Sequence, residues 1–592
     1  MSRTQRRAVV IGLVAVLVVA AVVVVVNRYV LEQEWWQSER GTTSQPPGAL
    51  TTNGPPPGPL TGTWQTSTET RPTGMAQFDQ VTHAIVANQV VTTTARGFDV
   101  RDARTGGLRW YYHRAGWSLL GWSATGGSIV AYFERVSDRS THIMLGFDAG
   151  TGSEQWRSTT VTPPVVDQAR PRWPSGRRAI LVARGRHTWL GLDPQTGRTR
   201  WTRPVPGGCA VPGLGSGATA GEGDAGAVVA RCRVHGRVRG RVLGINSSTG
   251  RLQWRKDFDD PADLSVDVHG GITEVWDGDT MHLYGPRGRE LLTRSGDEVC
   301  RDTTCPYAVS DGTVVVAVGG DTWTLLGVNA RTGAVRWQRR TGPVDQLTAD
   351  GTRVYTLRTR LAESLMPAAA DILDPRTGKG ATVPLPFTYR ESDSVPWLGT
   401  GGGLLYVAYP VPTLGARGGV RLAALRAGPS GPGPDALAGV RASMWPDACK
   451  LITEDDVRAT FPGDSFDRHA ERVSVDGVAP GHTSSCTYAP DTRDAARPGV
   501  AVRWVSQTPG EAHALLLSLR AGYADAKALP RVGDEAYDLG TLSGEVVVRV
   551  GRYILGVSAG RESGGSATRL ARQAANRLAA ESTSPRPTHT PG

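Results

Sequence analysis

The longest apolar run in the chain, Ala8 to Val26, holds 19 consecutive apolar or small residues. As a helix rising 1.5 Å per residue it covers about 28 Å, close to the hydrocarbon thickness of a bilayer. Arg3, Arg6 and Arg7 precede the run, and Arg28, Glu32 and Glu34 follow it. The positive-inside rule then leaves the first seven residues in the cytoplasm and places everything after Asn27 outside. A cleaved signal peptide has a shorter apolar region of about 7–15 residues and an A-x-A-like site. Neither is found, so the run reads as a retained single-pass anchor. Beyond it the pattern changes to short apolar stretches such as SIVAYFE, IMLGF, GAVVARC, RVLGI, TVVVAVGG and LLYVAYP, separated by Gly, Asx and Thr. These predict β-strands with tight turns.

The turns repeat. DARTGGLRW (Asp102 to Trp110), DAGTGSEQW (Asp148 to Trp156), DPQTGRTRW (Asp193 to Trp201), NSSTGRLQW (Asn246 to Trp254) and NARTGAVRW (Asn329 to Trp337) share one pattern, Asx-x-x-Thr-Gly-x-x-x-Trp. DPRTGKGAT, from Asp374, keeps the turn and loses the Trp. The repeat-turn glycines are Gly106, Gly152, Gly197, Gly250, Gly333 and Gly378, at intervals of 46, 45, 53, 83 and 45. The interval of 83 hides a degenerate unit, expected in LYGPRGREL around Gly288. In each unit the Asx side chain closes a turn on its own backbone, and Gly supplies the positive φ of a tight hairpin. The strand that follows carries Trp110, Trp156, Trp201, Trp254 or Trp337 outward as a blade-packing residue, which accounts for part of a Trp count of 17 against 8 Phe. About four short strands per 45 residues is the size of one propeller blade.

This signature resembles the repeats of the pyrroloquinoline-quinone (PQQ)-type β-propellers. The resemblance covers Thr61 to Ala427, 367 residues, enough for eight blades at about 45 each, with seven the runner-up. The last blade is expected to use LLYVAYP and VRLAALRA and to close with a strand near Trp64. The resemblance implies either a quinoprotein oxidoreductase or one of the many non-enzymatic relatives that bind proteins or envelope components.

From Ala442 the pattern becomes α+β. Thr453-Glu-Asp-Asp456 and Thr508-Pro-Gly-Glu511 are capping-box starts of two helices, the second with Ala512, Leu515, Leu516 and Leu519 on one face. VVVRV-GR-YILGV reads as a two-residue hairpin, and a last amphipathic helix carries Leu570, Ala574 and Leu578. WPDACKLITEDDV, SSCTYAP and RVGDEAYDLG resemble a domain of unknown function in secreted actinobacterial lipoproteins, to which no activity attaches.

The expected fold class is mainly β: a single N-terminal transmembrane helix, a seven- to eight-bladed β-propeller with eight preferred, and a small α+β domain. The boundaries are a cytoplasmic N-terminus at 1–7, the anchor at 8–26, a Pro/Gly-rich extracytoplasmic linker at 27–60, the propeller at 61–427, a linker at 428–441, the α+β domain at 442–580 and a disordered tail at 581–592. Ser38 to Leu60 is Pro, Gly, Ser and Thr with little apolar content, and reads as an extended spacer. Six cysteines in an exported chain point to disulfides, and of the 15 or so connectivities proximity favours Cys209 with Cys232, Cys300 with Cys305, and Cys449 with Cys486.

The net charge of +11 rests on 62 arginines and only four lysines. Spread through the chain, these read as genome composition rather than a nucleic-acid surface. Catalytic, cofactor-binding and metal residues are absent from the reading. GEGDAG (Gly221 to Gly226) fits G-x-G-x-x-G but precedes a strand, so it is assigned to a flexible loop. The 11 His are dispersed, and no two cysteines are adjacent, as many quinoproteins require by resemblance. The function expected is a non-catalytic binding, scaffold or sensor protein of the cell envelope, single-pass in the membrane, without a cofactor. Its partner is expected to be an envelope protein or anionic wall polymer, not nucleic acid. The alternative is a PQQ-dependent oxidoreductase.

Overall fold

The computed structural model describes residues 38–69, 81–125, 127–159, 164–165, 175–176, 179–212, 219–260, 264–295, 300, 305–319, 323–360, 365–390, 396–412, 418–428, 436–437, 440–475, 478–490, 497–523, 525–541, 544–560 and 565–583. The expected anchor at 8–26, and the last nine residues of the expected tail, lie outside them. Among the described residues no helix is long and apolar enough to cross a membrane.

Eight blades, each an antiparallel meander, account for the repeat region, blades 3 and 4 being joined in one ten-stranded sheet by the parallel pairing of Ser175–Gly176 with Glu222–Gly223, and the fold is an eight-bladed β-propeller. Blade 1 runs from its innermost strand Thr82–Val86 to its outermost Leu108–Arg114, and blade 2 from Trp117–Thr125 to Glu154–Ser158. Blade 3 runs from Ser175–Gly176 to Thr199–Pro204, and blade 4 from Thr219–Gly223 to Leu252–Phe258. Blade 5 spans Ser265–His269 to Glu290–Ser295, blade 6 Tyr307–Ser310 to Val335–Thr341, and blade 7 Gln346–Ala349 to Gly380–Pro384. Blade 8 takes Trp397–Gly401, Leu404–Pro412 and Gly418–Ala427, and its outermost strand, Leu60–Glu69, comes from the other end of the repeat region. The strand expected near Trp64 therefore completes the eighth blade, with Trp64 opposite Ala424. The outer strands carry Arg157, Arg203, Arg255 and Arg339 next to or two positions beyond the repeat Trp. Charge on an exposed edge strand opposes pairing with another chain.

By contact, the chain forms two compact units. One holds blades 1 to 4 with residues 38–49. The other holds blades 6 to 8 with residues 50–71 and the C-terminal domain, and the division passes within blade 5.

Residues 38–60 are not the extended spacer that their composition predicts. Ser38–Gly41 pairs antiparallel with Tyr111 to Arg114 and makes blade 1 five-stranded. Thr43 N–H bonds Thr151 O at 3.0 Å. In the second unit, Gly54 N–H donates to Asp350 Oδ2 at 2.8 Å, and Tyr355 Oη donates to Pro55 O at 3.0 Å. A chain with no core of its own is thus held by its backbone groups, which composition does not display.

The C-terminal domain is a seven-stranded sheet in the order Phe466–Glu471, Ser485–Pro490, Gly499–Val505, Tyr553–Ser558, Val546–Val550, Glu535–Asp538, Lys527–Ala528. Helix α1 is Ala448–Leu451, and α2, Glu454–Thr460, begins with the expected box of Thr453 and Asp456. Helix α3, Pro509–Arg520, has Thr508 as N-cap, Glu511 completing its box, and Ala512, Leu515, Leu516 and Leu519 buried. Helix α4, Ser566–Thr583, buries Leu570, Ala574 and Leu578 and runs three residues into the expected tail.

This domain is not separate from the propeller. Leu365 and Met366, which come after the second strand of blade 7 and before its third, are buried in the same core as Trp445, Val502 and Leu516. Met366 N–H bonds Arg503 O at 3.2 Å, the Arg360 guanidinium lies 5.6 Å from the Trp504 ring, and Ser518 Oγ donates to Thr388 O at 3.0 Å. Burying two such side chains is worth roughly 3–6 kcal/mol in transfer terms.

Candidate functional site

The repeat residues form the joints between blades. In four of the six Asx turns, at Asp102, Asp193, Asn329 and Asp374, one side-chain oxygen accepts two backbone N–H groups, and at Asp148 and Asn246 it accepts that of the Thr three positions on. Asp193 Oδ1 takes Gln195 and Thr196 at 2.9 and 3.0 Å, and Asn329 Oδ1 takes Arg331 and Thr332 at 2.9 and 3.0 Å. The turn glycine then bonds back to the Asx carbonyl, Gly250 N to Asn246 O at 2.7 Å. Gly106, Gly152, Gly197, Gly250, Gly333 and Gly378 all have φ between +67° and +79°, and Gly288 in the degenerate unit has +71°.

Each tryptophan packs on the turn glycine of the following blade. A Cβ at Gly152 would meet the Trp110 ring at 2.6 Å; Gly197 meets Trp156, Gly250 meets Trp201 and Gly378 meets Trp337 at nearly the same distance. Gly288 meets Trp254 at 2.7 Å, so the hidden unit keeps its joint although its Asx, Thr and Trp are gone. On the opposite ring face, Gly146, Gly191, Gly244 and Gly327 of the blade's own third strand leave room for Trp156, Trp201, Trp254 and Trp337. The indole N–H closes the joint: Trp110 donates to Ala149 O, Trp156 to Pro194 O, Trp201 to Ser247 O and Trp337 to Pro375 O, at 2.9–3.1 Å. In Trp156, Trp201 and Trp337 two glycines and the one donor bond are all in place, and all five tryptophans lie in blade joints. The Leu-Gly step on the third strand was the sequence signal for the second half of the joint.

Cys209 bonds Cys232, Cys300 bonds Cys305, and Cys449 bonds Cys486, as proximity favoured.

Ionisable groups are scarce on the innermost strands. Among the described residues of those eight strands the only carboxylates are Glu222 in blade 4 and Asp267 in blade 5. Both face His269: Nδ1 lies 3.7 Å from Glu222 Oε2, and Nε2 lies 3.3 Å from Asp267 Oδ2. Desolvation disfavours the imidazolium, but the Asp267 carboxylate and then Glu222 outweigh it and lift the His269 pKa to about 10. The side chain is still 53 % exposed, so water screens part of that effect. Sequence reading missed this trio. Asp267 and His269 alternate on one strand and share a face, but Glu222 lies in GEGDAG, which was assigned to a flexible loop. It is instead a hairpin, with Glu222 paired to Ala225 across Asp224. The other histidine of the innermost strands, His83, is buried, and desolvation lowers its pKa to about 3.

Do these groups suit a quinone with its calcium ion? The two carboxylates already flank an imidazolium, which occupies the place where a cation would be held. Among the described residues no group of three His, Cys, Asp or Glu side chains has metal-binding geometry. The described residues of the innermost strands thus provide no acidic set free for such a centre.

One family model agrees with the repeat. A family model described as outer membrane protein assembly factor BamB matches residues 139–299 and 238–383. Among solved structures, BamB from Moraxella catarrhalis is 14% identical, with 61% of this chain and 99% of that one covered and a TM-score of 0.37. The quinohemoprotein alcohol dehydrogenase ADHIIG from Pseudomonas putida HK5 is 12% identical over 68% of this chain and 81% of its own, with a TM-score of 0.38. That of Comamonas testosteroni gives 12%, 68%, 80% and 0.38. No curated protein matches the chain. The stretch from residue 139 to 383 is thus similar to the repeats of that family model, and it is set in an eight-bladed propeller.

Proposed function

We propose that this chain is a membrane-tethered, extracytoplasmic, non-catalytic recognition protein of the cell envelope, with the propeller as its platform. The observation that carries the reading is the use of the repeat residues. The tryptophans and turn glycines lie in blade joints, and the two carboxylates described on the innermost strands face His269, so the repeat residues serve the scaffold. The match to an assembly-factor family model supports it. Loops at the two ends of a closed scaffold suit the capture of extended partners. The anchor read at 8–26 holds this platform at the membrane, and three disulfides suit an oxidising compartment.

Crosslinking of the full chain in cells, followed by identification of what is attached, is expected to recover envelope components. Turnover of an alcohol with an artificial electron acceptor by the purified protein, lost on a single substitution of a residue lining the channel, would make it an oxidoreductase instead.

A further inference from the structure

Blades are up-and-down meanders, so turns after strands one and three lie at one end and turns after strand two at the other. At the second end, blades 3 and 4 form a continuous basic surface. The turn of blade 3 presents Arg186 and His187, both exposed. In blade 4 the second and third strands, Ala225–Val234 and Arg237–Asn246, are ten residues each. Their tip presents Arg233, His235 and Arg237 to solvent.

Residues 205–211 knit the two tips together. Val205 N–H bonds His187 O at 2.9 Å, Val211 N–H bonds Arg186 O at 2.8 Å, and Arg233 N–H bonds Gly208 O at 2.8 Å. Cys209 pairs in register with Cys232 and is joined to it by a disulfide. The surface is therefore braced by backbone bonds and a covalent link. The nearby acids are already committed, Asp259 to Arg239 at 3.3 Å and Asp257 to Arg241 at 2.5 Å. Arg186, Arg233 and Arg237 have no carboxylate partner among the described residues.

We propose that this two-blade surface binds a linear, phosphate-bearing polymer of the envelope. The inference rests on the reading of the chain as an envelope recognition protein and names its ligand class and its face. Guanidinium groups match phosphate in bidentate geometry, and cations spread over two rigid tips suit a repeating charge better than a single anion. A bilayer is the poorer fit, because among the described residues Val238, at 50 % exposure, is the only large apolar side chain exposed on these tips.

The test uses the full-length protein in detergent and fluorescent long-chain inorganic polyphosphate. Binding is expected to weaken steeply with salt, as for any ligand held by phosphate contacts. Arg233→Glu/Arg237→Glu should weaken it at least 10-fold and flatten the salt dependence. Arg198→Glu/Arg251→Glu, the same charge change at the opposite end of blades 3 and 4, should change it less than 2-fold. Arg233→Lys/Arg237→Lys should restore part of the loss, and unchanged thermal midpoints exclude misfolding. Equal losses in both Glu variants would overturn the proposal, as would no binding, or binding of anionic vesicles or duplex DNA at least as tight as that of polyphosphate. Envelope crosslinks that persist in a protein without polyphosphate affinity would end this inference while leaving the broader reading in place. Loss of those crosslinks in the Arg198→Glu/Arg251→Glu protein alone would place recognition at the other end and end it too.

Discussion

In blade 3, Trp201 lies between Gly191 of its own sheet and Gly250 of the next turn, and its one polar atom bonds a backbone carbonyl. In blade 7 the position equivalent to Trp201 is Thr382, which donates to Asp371 Oδ1 at 2.5 Å. Asp371 is buried, accepts also from Thr356 at 2.8 Å, and lies 3.2 Å from Arg358. Blade 3 is joined to the next blade by shape, whereas in blade 7 the equivalent position belongs to a buried charge network inside the blade, which Arg339 of blade 6 reaches through Thr382. The shape joint is repeatable because it needs only a ring and two glycines, whatever surrounds it. The charge network must be satisfied group by group. Where the repeat decays, the blade has become specific to one neighbour.

The largest effects should come from removing the centre of each joint. Trp110→Ala, which empties a fully buried site, should cost about 3–5 kcal/mol in chemical denaturation. Asp371→Ala should cost a similar 3–5 kcal/mol, because Arg358 is left buried without its counter-charge. The two should differ in pH dependence. Burial opposes ionisation of Asp371, but Arg358 and the two threonine hydroxyls hold its pKa below the usual carboxylate range. Its stabilisation is complete above the unfolded value of about 3.9 and fades as pH falls below that. A Trp110→Ala protein with the same acid limb as Asp371→Ala would break the distinction.

Next in size is the disulfide of Cys449 and Cys486, which closes a separation of 37 residues in the C-terminal sheet. Cys449→Ser/Cys486→Ser should lose roughly 2–4 kcal/mol. Because Leu365 and Met366 share that core, protease cleavage within 358–368 should rise in parallel, and an unchanged rate there would separate the domain from blade 7.

A smaller contrast uses two glycines with the same backbone sign. Gly250 has φ +69° and faces the Trp201 ring, whereas Gly403 has φ +74° and nothing within 4 Å. Gly403→Ala should cost only the left-handed strain, about 1–2 kcal/mol. Gly250→Ala should cost about 1–2 kcal/mol more, since the ring must move. Equal costs would show that the ring gives way freely.

The smallest effect concerns His83. Its pKa is lowered to about 3 by burial, so it is neutral in the fold. Stability is full above the unfolded value of about 6.5 and is lost as pH falls from there toward 3. Between pH 7.5 and 5.5 the wild type should lose about 1 kcal/mol that His83→Gln retains. Denaturant midpoints at the two pH values measure it.

The turns and the caps were legible because each is written in residues a fixed short distance apart, and the joints because Trp and glycine recur about once per blade. Asn246 accepts from the residue three positions on, Thr508 caps with Glu511, and Trp254 still meets Gly288 where the motif has vanished. Local chemistry at constant spacing needs no knowledge of the rest of the fold. Only the tertiary structure decided that residues 38–60 lie on blades rather than in solvent, because backbone groups hold them and carry no sequence label. It alone brought Glu222 to His269 across two blades, and Arg186 to Arg233 through one intervening loop. It also set Arg186 at the same end as Arg233 and Arg237, since each blade returns its second hairpin to the same side.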